Sequence, residues 1–184
     1  MYNDCNYDSA LLLQDAWSGS SDTSEINSQM EQNVEHDLRI ETIPPGTTGM
    51  IQPLDVFFFR PLKVFVRHIS DYVVFQKLPI ILHHRNQVIK LISLVWYQFC
   101  AERYEPMIAY SFAKAGYSVR LGEFTTPADY CLKVDMSFKV CFECSVGGHD
   151  VIPFARCSHC ENFFCFTHFY GTGSDSINYH KCLH

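Results

Sequence analysis

The sequence predicts an α/β fold followed by a small cysteine- and histidine-rich module. Two short strand-like segments precede three apolar helical patterns, which is the order expected for part of an α/β domain. Six of the nine cysteines and five of the nine histidines lie in the last 44 residues. We therefore expect an α/β part at residues 1–120, a linker at 121–138 and the module at 139–184.

Two segments near the N-terminus have the pattern of strands. Residues 10–14 are a short apolar run that ends at Asp15, and residues 39–43 alternate until Pro44-Pro45-Gly46 stops them. Between the two, residues 25–36 predict a short polar helix.

Beyond Pro53 the apolar residues recur at helical spacing. The first helix carries a stripe of large apolar side chains, namely Leu62, Phe65, Val66, Ile69 and Val73. Pro61 is expected to break or restart this helix. Residues 86–100 predict a second, largely buried helix, and residues 106–115 predict a third with Gly116 as its C-terminal cap.

Charge is distributed unevenly along the chain. The net charge is −6, but residues 1–36 hold seven acidic and no basic residues, whereas residues 56–120 hold nine basic and three acidic residues. A basic segment of this kind either contacts nucleic-acid phosphates or is a solvated helix face. The longest apolar stretch, residues 88–100, is too short to span a bilayer, so we expect a soluble intracellular protein without membrane contact.

Two carboxylates are candidates for chemistry. Asp15 ends the first predicted strand, and Asp55 begins the first strong helix. Acidic residues brought together at such positions hold divalent metals that activate water for phosphodiester cleavage. The alternative is that Asp15 caps a loop and Asp55 is a helix N-terminal acid favoured by the helix dipole.

Residues 43–55, which read IPPGTTGMIQPLD, favour the catalytic interpretation. This segment closely resembles the signature of pogo-like transposases, a group of the DDE superfamily with an RNase H-like fold. The resemblance continues through RPLK at residues 60–63 and SFAKAG at residues 111–116, and it extends upstream to LLLQDAWSG at residues 11–19. Together these segments cover about residues 8–117.

The resemblance implies a partial RNase H-like domain in which Asp15 and Asp55 stand where the family has its second and third catalytic acids. Magnesium or manganese would bind there only if the acidic site is functional. A histidine common in the family is replaced by Ser20, and Asp4 and Asp8 lie too close to Asp15 to supply the first acid. We therefore expect a truncated, transposase-derived DNA-binding protein, nuclear and inactive in cleavage by itself; an active nuclease would need an upstream strand and acid.

The C-terminal tail has the ligand spacing of zinc sites. Its cysteines and histidines come as four close pairs, namely Cys141 and Cys144, Cys157 and Cys160, Cys165 and His168, and His180 and Cys182. Paired ligands two residues apart suit tetrahedral zinc, and eight ligands make two sites. The alternative is a group of buried free thiols.

The order of these ligands resembles the cross-brace zinc finger of stress-associated and ubiquitin-pathway proteins, although the gap between His168 and His180 is longer than usual. That resemblance implies one ion on the first and third pairs and another on the second and fourth pairs. A sequential arrangement is the alternative. The remaining histidines of the tail are expected to be bystanders, namely His149, His159 and His184.

Sites in which protein fills all four positions are structural rather than catalytic, and they supply much of the folding energy of a small module. The tail therefore also supports a second function, a non-enzymatic zinc-binding interaction module for a protein or nucleic-acid partner, carried on an α/β scaffold.

Overall fold

The computed structural model of the protein describes residues 9–15, 37–117, 122–171 and 178–182. In these residues the chain is a mixed, helix-rich α/β structure with two small two-stranded sheets. The polar helix predicted at residues 25–36 lies outside the described residues.

The first sheet is parallel. Strand β1 (Ser9–Asp15) pairs with β2 (Asp37–Ile43) in a register that places Ser9 opposite Asp37 and Asp15 opposite Ile43. Both predicted strands are therefore present, each slightly longer than predicted. After β2, Gly46 has a φ of 81°, and the backbone N–H of Thr47 donates to the carbonyl of Pro44 at 3.2 Å. Positive φ is readily available to glycine, so this turn ends the strand.

Helix α1 (Thr48–Ile51) is followed by one turn of π-helix (Leu54–Phe58), which runs directly into α2 (Phe59–Phe75). Pro61 is the third residue of α2 and is buried there. Of the two expectations, that Pro61 breaks or restarts the helix, the structure agrees with a restart: the α-helix starts two residues before Pro61, directly after the π turn. The π-helix is rare and occurs mostly as single turns of this kind within α-helices.

The other two predicted helices are α3 (Arg85–Phe99) and α4 (Glu105–Lys114), which follows a short 3₁₀ turn (Glu102–Tyr104). Gly116, with a φ of 88°, follows the C-terminal end of α4, as predicted for a cap. Because residues 86–100 are largely apolar, the sequence indicated a buried helix, and one face of α3 is indeed buried.

The segment expected to be a linker contains a further helix, α5 (Pro127–Leu132). Ala128 and Cys131 on this helix are buried in the core. At its N-terminus, the backbone N–H of Asp129 donates to the hydroxyl of Thr126 at 3.2 Å, which is an N-cap. This six-residue helix packs against α2 and is anchored by these two small side chains. It is too short to show a helical period in the sequence.

The C-terminal module consists of α6 (Phe142–Val146), an antiparallel pair formed by β3 (Ala155–Arg156) and β4 (Phe163–Phe164), and α7 (Phe166–Tyr170). Its aromatic side chains join the same core as the helices. That continuous core contains, among others, Phe65, Leu94, Phe99, Phe164, Phe169 and Tyr170. The module is therefore packed on α3 rather than separated from it.

No helix within the described ranges is both long enough and apolar enough to cross a membrane.

Candidate metal centres

The structure brings the eight predicted ligands of the tail into two groups of four. The first group combines the first and third pairs, namely Cys141, Cys144, Cys165 and His168. The second combines the second and fourth pairs, namely Cys157, Cys160, His180 and Cys182. This is the cross-brace pairing and not the sequential one.

Short helices position the first group. Cys141 is the residue before α6 and Cys165 the residue before α7, so the N-terminal ends of the two helices face one another. The Nδ1 atom of His168 lies 3.3 Å from the Sγ of Cys141 and 3.4 Å from the Sγ of both Cys144 and Cys165. The sulfurs of Cys144 and Cys165 are 3.9 Å apart.

The second group lies beside the β3–β4 pair. The sulfurs of Cys157 and Cys182 are 3.6 Å apart. The Nε2 atom of His180 lies 3.5 Å from the Sγ of Cys160 and 3.4 Å from that of Cys182. The ring of Phe164 packs on the His180 ring at 3.9 Å between centroids, which fixes its orientation.

These separations fit a tetrahedral metal ion. With zinc–sulfur bonds of about 2.3 Å and zinc–nitrogen bonds of about 2.0 Å, the edges of a tetrahedron are about 3.8 Å between sulfurs and about 3.5 Å between sulfur and nitrogen. The observed edges agree within about 0.3 Å. Three thiolates and one imidazole are also the ligand chemistry that zinc favours.

The proton affinities of the thiols differ within each group. Burial disfavours the Cys141 thiolate, but backbone hydrogen bonds from Cys165 and Cys144 and the His168 ring outweigh it and lower the pKa of Cys141 to about 7. Burial and the neighbouring thiols raise the pKa of Cys144 to about 12. In the second group, burial and the sulfurs of Cys157 and Cys182 raise the pKa of Cys160 to about 12. Thiolates crowded together share protons in this way, and a bound dication would replace those protons.

Two polar side chains of α3 contact the second group. Gln98 is fully buried; its Nε2 lies 3.7 Å from the Sγ of Cys157, and its Oε1 accepts the backbone N–H of Ser158 at 2.7 Å. The preceding residue, Tyr97, is half-buried, and its hydroxyl accepts the backbone N–H of Cys182 at 3.0 Å. Partners of this kind orient the ligands of a metal site.

The sequence alone does not place these α3 residues at the site. The available signal was Gln98 itself, a polar residue in the apolar stretch at residues 88–100. A buried amide requires hydrogen-bond partners, and here both come from the loop that carries Cys157.

A second set of contacts anchors the same loop to the helical part. The hydroxyl groups of Tyr104 and Ser158 are 2.8 Å apart, and the Sγ of Cys131 lies 3.1 Å from the Ser158 hydroxyl. Arg103 donates from Nε to the carbonyl of Ser158 at 2.7 Å and forms an ion pair with Glu161. The loop between Cys157 and Cys160 is therefore held both by Gln98 and by the side chains of Arg103, Tyr104 and Cys131.

The expected bystander histidines lie outside both groups where they are described. His149 is exposed after α6, and His159 stacks on the ring of Tyr97 at 4.2 Å while its Nε2 lies 2.7 Å from the Tyr97 carbonyl oxygen. His184 lies outside the described residues.

The two candidate acids occupy the N-terminal part of the chain. Asp15 is the last residue of β1, and Asp55 is exposed in the π turn, where its backbone N–H donates to the carbonyl of Gln52. Their role as metal ligands stays a prediction.

The comparisons with known proteins agree with a transposase relationship. Residues 112–176, about a third of the chain, match the family model of the Tc5 transposase C-terminal domain. The matched range includes six of the eight residues of the two groups and ends before His180 and Cys182. No curated protein and no solved structure matches the chain. The chain is therefore related to transposases through its C-terminal half.

Proposed function

We propose that this chain is a transposase-derived, DNA-associated protein whose C-terminal module is held together by two structural zinc ions. The observation that carries the proposal is a coincidence in position. The segment that matches the Tc5 transposase C-terminal domain is the segment that forms most of the two Cys/His groups.

The zinc ions would serve the fold rather than catalysis. Each group offers four protein ligands, which leaves no coordination position for water or substrate. Zinc would bind Cys141, Cys144, Cys165 and His168 at one site and Cys157, Cys160, His180 and Cys182 at the other. Since the module shares its core with α3, metal binding would also order the contacts between module and helices.

The N-terminal part is proposed to be a portion of a DDE-type RNase H-like domain. Its support is the QPLD segment together with two parallel strands, the first of which ends at Asp15. Asp15 and Asp55 would be remnants of the catalytic acids, binding magnesium or manganese only weakly. Two carboxylates hold a pair of divalent ions poorly, so the 184-residue chain is expected not to nick plasmid DNA. Magnesium-dependent nicking that is lost in Asp55→Ala would contradict this.

DNA contact is assigned to the outer face of α2. Arg60, Lys63 and Arg67 are exposed, recur at helical spacing opposite the buried residues Phe65 and Ile69, and form no ion pair within the described residues. Their separation of seven residues spans about 10 Å of helix. Unpaired cations at this spacing can follow a phosphate backbone and release its counterions.

A salt titration tests this assignment. Affinity of the full chain for a fluorescent DNA duplex is measured between low and physiological salt, for the wild type and for the triple variant Arg60→Gln, Lys63→Gln, Arg67→Gln. Loss of three phosphate contacts reduces the slope of log K against log salt by about 3. A matched control replaces three basic residues elsewhere, namely Lys77, Lys114 and Lys139. Equal changes of the salt slope in both triple variants would mean that binding depends on the overall charge of the chain and not on this face of α2. That result would contradict the assignment.

A second function, a non-enzymatic interaction module, is favoured by one observation. Large apolar side chains are exposed in the segment of chain that carries Cys141 and Cys144, including Phe138 at 92% and Val146 and Ile152 at 77%. Patches of this kind mark protein contacts. A chain with two zinc ions and no measurable DNA affinity would favour this function over the first. A nuclear location is expected only under the proposal that the chain associates with DNA.

A further inference from the structure

The two Cys/His groups differ in how far solvent reaches their ligands. In the first group His168 is exposed and Cys144 is half-buried, whereas Cys141 is fully buried and Cys165 is only 8% exposed. The four ligands of the second group all lie within the described residues, and none of them is exposed: Cys157 is fully buried and the other three are half-buried. Small solutes therefore reach the first group more readily than the second, from the side of Cys144 and His168.

Neighbouring residues screen the second group. The ring of Phe164 lies on the His180 ring, and the amide of Gln98 lies 3.7 Å from the Cys157 sulfur. The backbone N–H of His159 also donates to the Cys157 sulfur, at 3.4 Å. A donor of this kind stabilises the charge of a thiolate, and a stabilised thiolate is a weaker nucleophile.

The sulfur of Cys144 has no such donor. Among the described residues no backbone N–H donates to it, and its neighbours are the Nδ1 atom of His168 at 3.4 Å and the sulfur of Cys165 at 3.9 Å. A cysteine that binds zinc is a thiolate. The cysteines that oxidants attack are accessible thiolates that lie next to a second cysteine. Cys144 has the access, and Cys165 is the second cysteine.

We propose that Cys144 is a site of oxidation by peroxides, and that its disulfide with Cys165 releases the ion of the first group while the second group keeps its ion. This inference rests on the proposed binding of two zinc ions. It adds a modification site to the module and a chemical condition under which one of the two ions leaves.

The reaction has two steps. The Cys144 thiolate attacks one oxygen of hydrogen peroxide; the O–O bond breaks, hydroxide leaves, and a sulfenic acid remains on Cys144. The Cys165 thiolate then attacks the sulfenic sulfur; the S–S bond forms, the S–O bond breaks, and a second hydroxide leaves. The peroxide accepts the two electrons that the two thiolates lose, and zinc keeps its oxidation state.

The disulfide requires a short movement. An S–S bond is about 2.05 Å long, so the sulfurs of Cys144 and Cys165, at 3.9 Å, need to approach by about 1.9 Å. Cys144 lies on the five-residue helix α6, and Cys165 directly precedes α7. Once both sulfurs are in the disulfide, only Cys141 and His168 remain as ligands of the first ion. Two ligands are half of a tetrahedral structural site, so the ion leaves.

The test is a peroxide titration of the full chain loaded with zinc. Hydrogen peroxide is added in steps, released zinc is measured with a chromogenic chelator, and the ions that remain bound are counted by native mass spectrometry. Disulfides are mapped by peptide mass spectrometry after the free thiols have been alkylated. We expect loss of one of the two ions together with a Cys144–Cys165 disulfide. Dithiothreitol and added zinc should restore the second ion.

Three variants locate the reaction. Cys144→His removes the sulfur but keeps a zinc ligand, so the ion of the first group should stay bound in peroxide. Cys160→His is the matched change in the second group and should lose the first ion as the wild type does. Cys100→Ser removes an exposed thiol that belongs to neither group and should leave the release unchanged. If Cys144→His does not take up two ions, the number of ions released and the disulfide map of the wild type still decide.

Several results would overturn the proposal: no release of zinc by peroxide, release of both ions together, release from the second group first, or a first disulfide other than Cys144–Cys165. A Cys144→His chain that holds two ions and loses one as readily as the wild type would also overturn it. All of these results leave the proposed zinc binding intact. A chain that takes up no zinc before peroxide is added would instead contradict the proposed function, and this inference with it.

Discussion

Replacement of Gln98 by leucine should weaken the second Cys/His group and leave the first one unchanged. Gln98 is fully buried, and its amide bridges two parts of one loop. The Oε1 atom accepts the N–H of Ser158, and the Nε2 atom lies 3.7 Å from the sulfur of Cys157. Leucine keeps most of the volume but removes both contacts.

The magnitude follows from these two contacts. The Ser158 N–H loses its partner in a buried position, which costs about 1 to 3 kcal/mol. The sulfur of Cys157 loses a donor that would stabilise its thiolate, the form that binds metal. Loss of such outer contacts typically lowers metal affinity about 10- to 100-fold. The first group lies at α6 and α7, and within the described residues no hydrogen bond joins it to Gln98, so its affinity should be unaltered.

The assay is a chelator competition that follows zinc release from the two sites. The variant should release one of two ions about 10- to 100-fold more readily than the wild type. Gln87→Leu is the control for loss of a buried glutamine from α3, because the Oε1 of Gln87 accepts from the hydroxyl of Tyr170, at 2.9 Å. Unchanged release in Gln98→Leu, or equal weakening of both ions, would refute the reasoning.

Three further predictions concern the module and its core. Cys165→Ser should lower the zinc content from two ions to one, measured by native mass spectrometry; loss of both ions would contradict independent sites. Gly171→Ala should lower the urea midpoint of unfolding more than Gly148→Ala. Both glycines have positive φ, but only at Gly171 would a Cβ lie 2.2 Å from the carbonyl oxygen of Asn178. Equal effects of the two variants would argue against that close approach. Burial raises the pKa of Cys131 from 9.0 to about 11, so as pH rises the thiol ionises first in the unfolded chain, and this group's contribution to the free energy of unfolding should be lost between pH about 9 and about 11. Cys131→Ala should flatten that part of the profile of stability against pH. An unchanged profile would contradict the prediction.

The strands, the three main helices and the four close pairs of tail residues could be anticipated because each leaves a local trace. An apolar run ending at Asp15, a stripe at helical spacing around Phe65, and a glycine at 116 are all visible within a few residues of sequence. The pairing of ligands followed from a resemblance of order and not from spacing alone. In the structure the first pair meets the third and the second meets the fourth.

Features that depend on distant contacts could not be anticipated. Helix α5 is held by the burial of Ala128 and Cys131 against elements far away in sequence. Lys90, only 1% exposed, donates to the carbonyl of Gly171 and lies 4.7 Å above the Tyr170 ring. A lysine on an apolar helix gives no sign of such a partner. The packing of the C-terminal module on α3 could therefore be seen only in the structure.

The most direct test of the account is the metal content of the purified full-length chain, measured by elemental analysis and native mass spectrometry. The geometry of the two groups predicts two zinc ions per chain, and removal of the metal should unfold the module around Phe164 and Phe169. A folded chain that holds no zinc, and whose tail cysteines all react freely with an alkylating agent, would contradict the account.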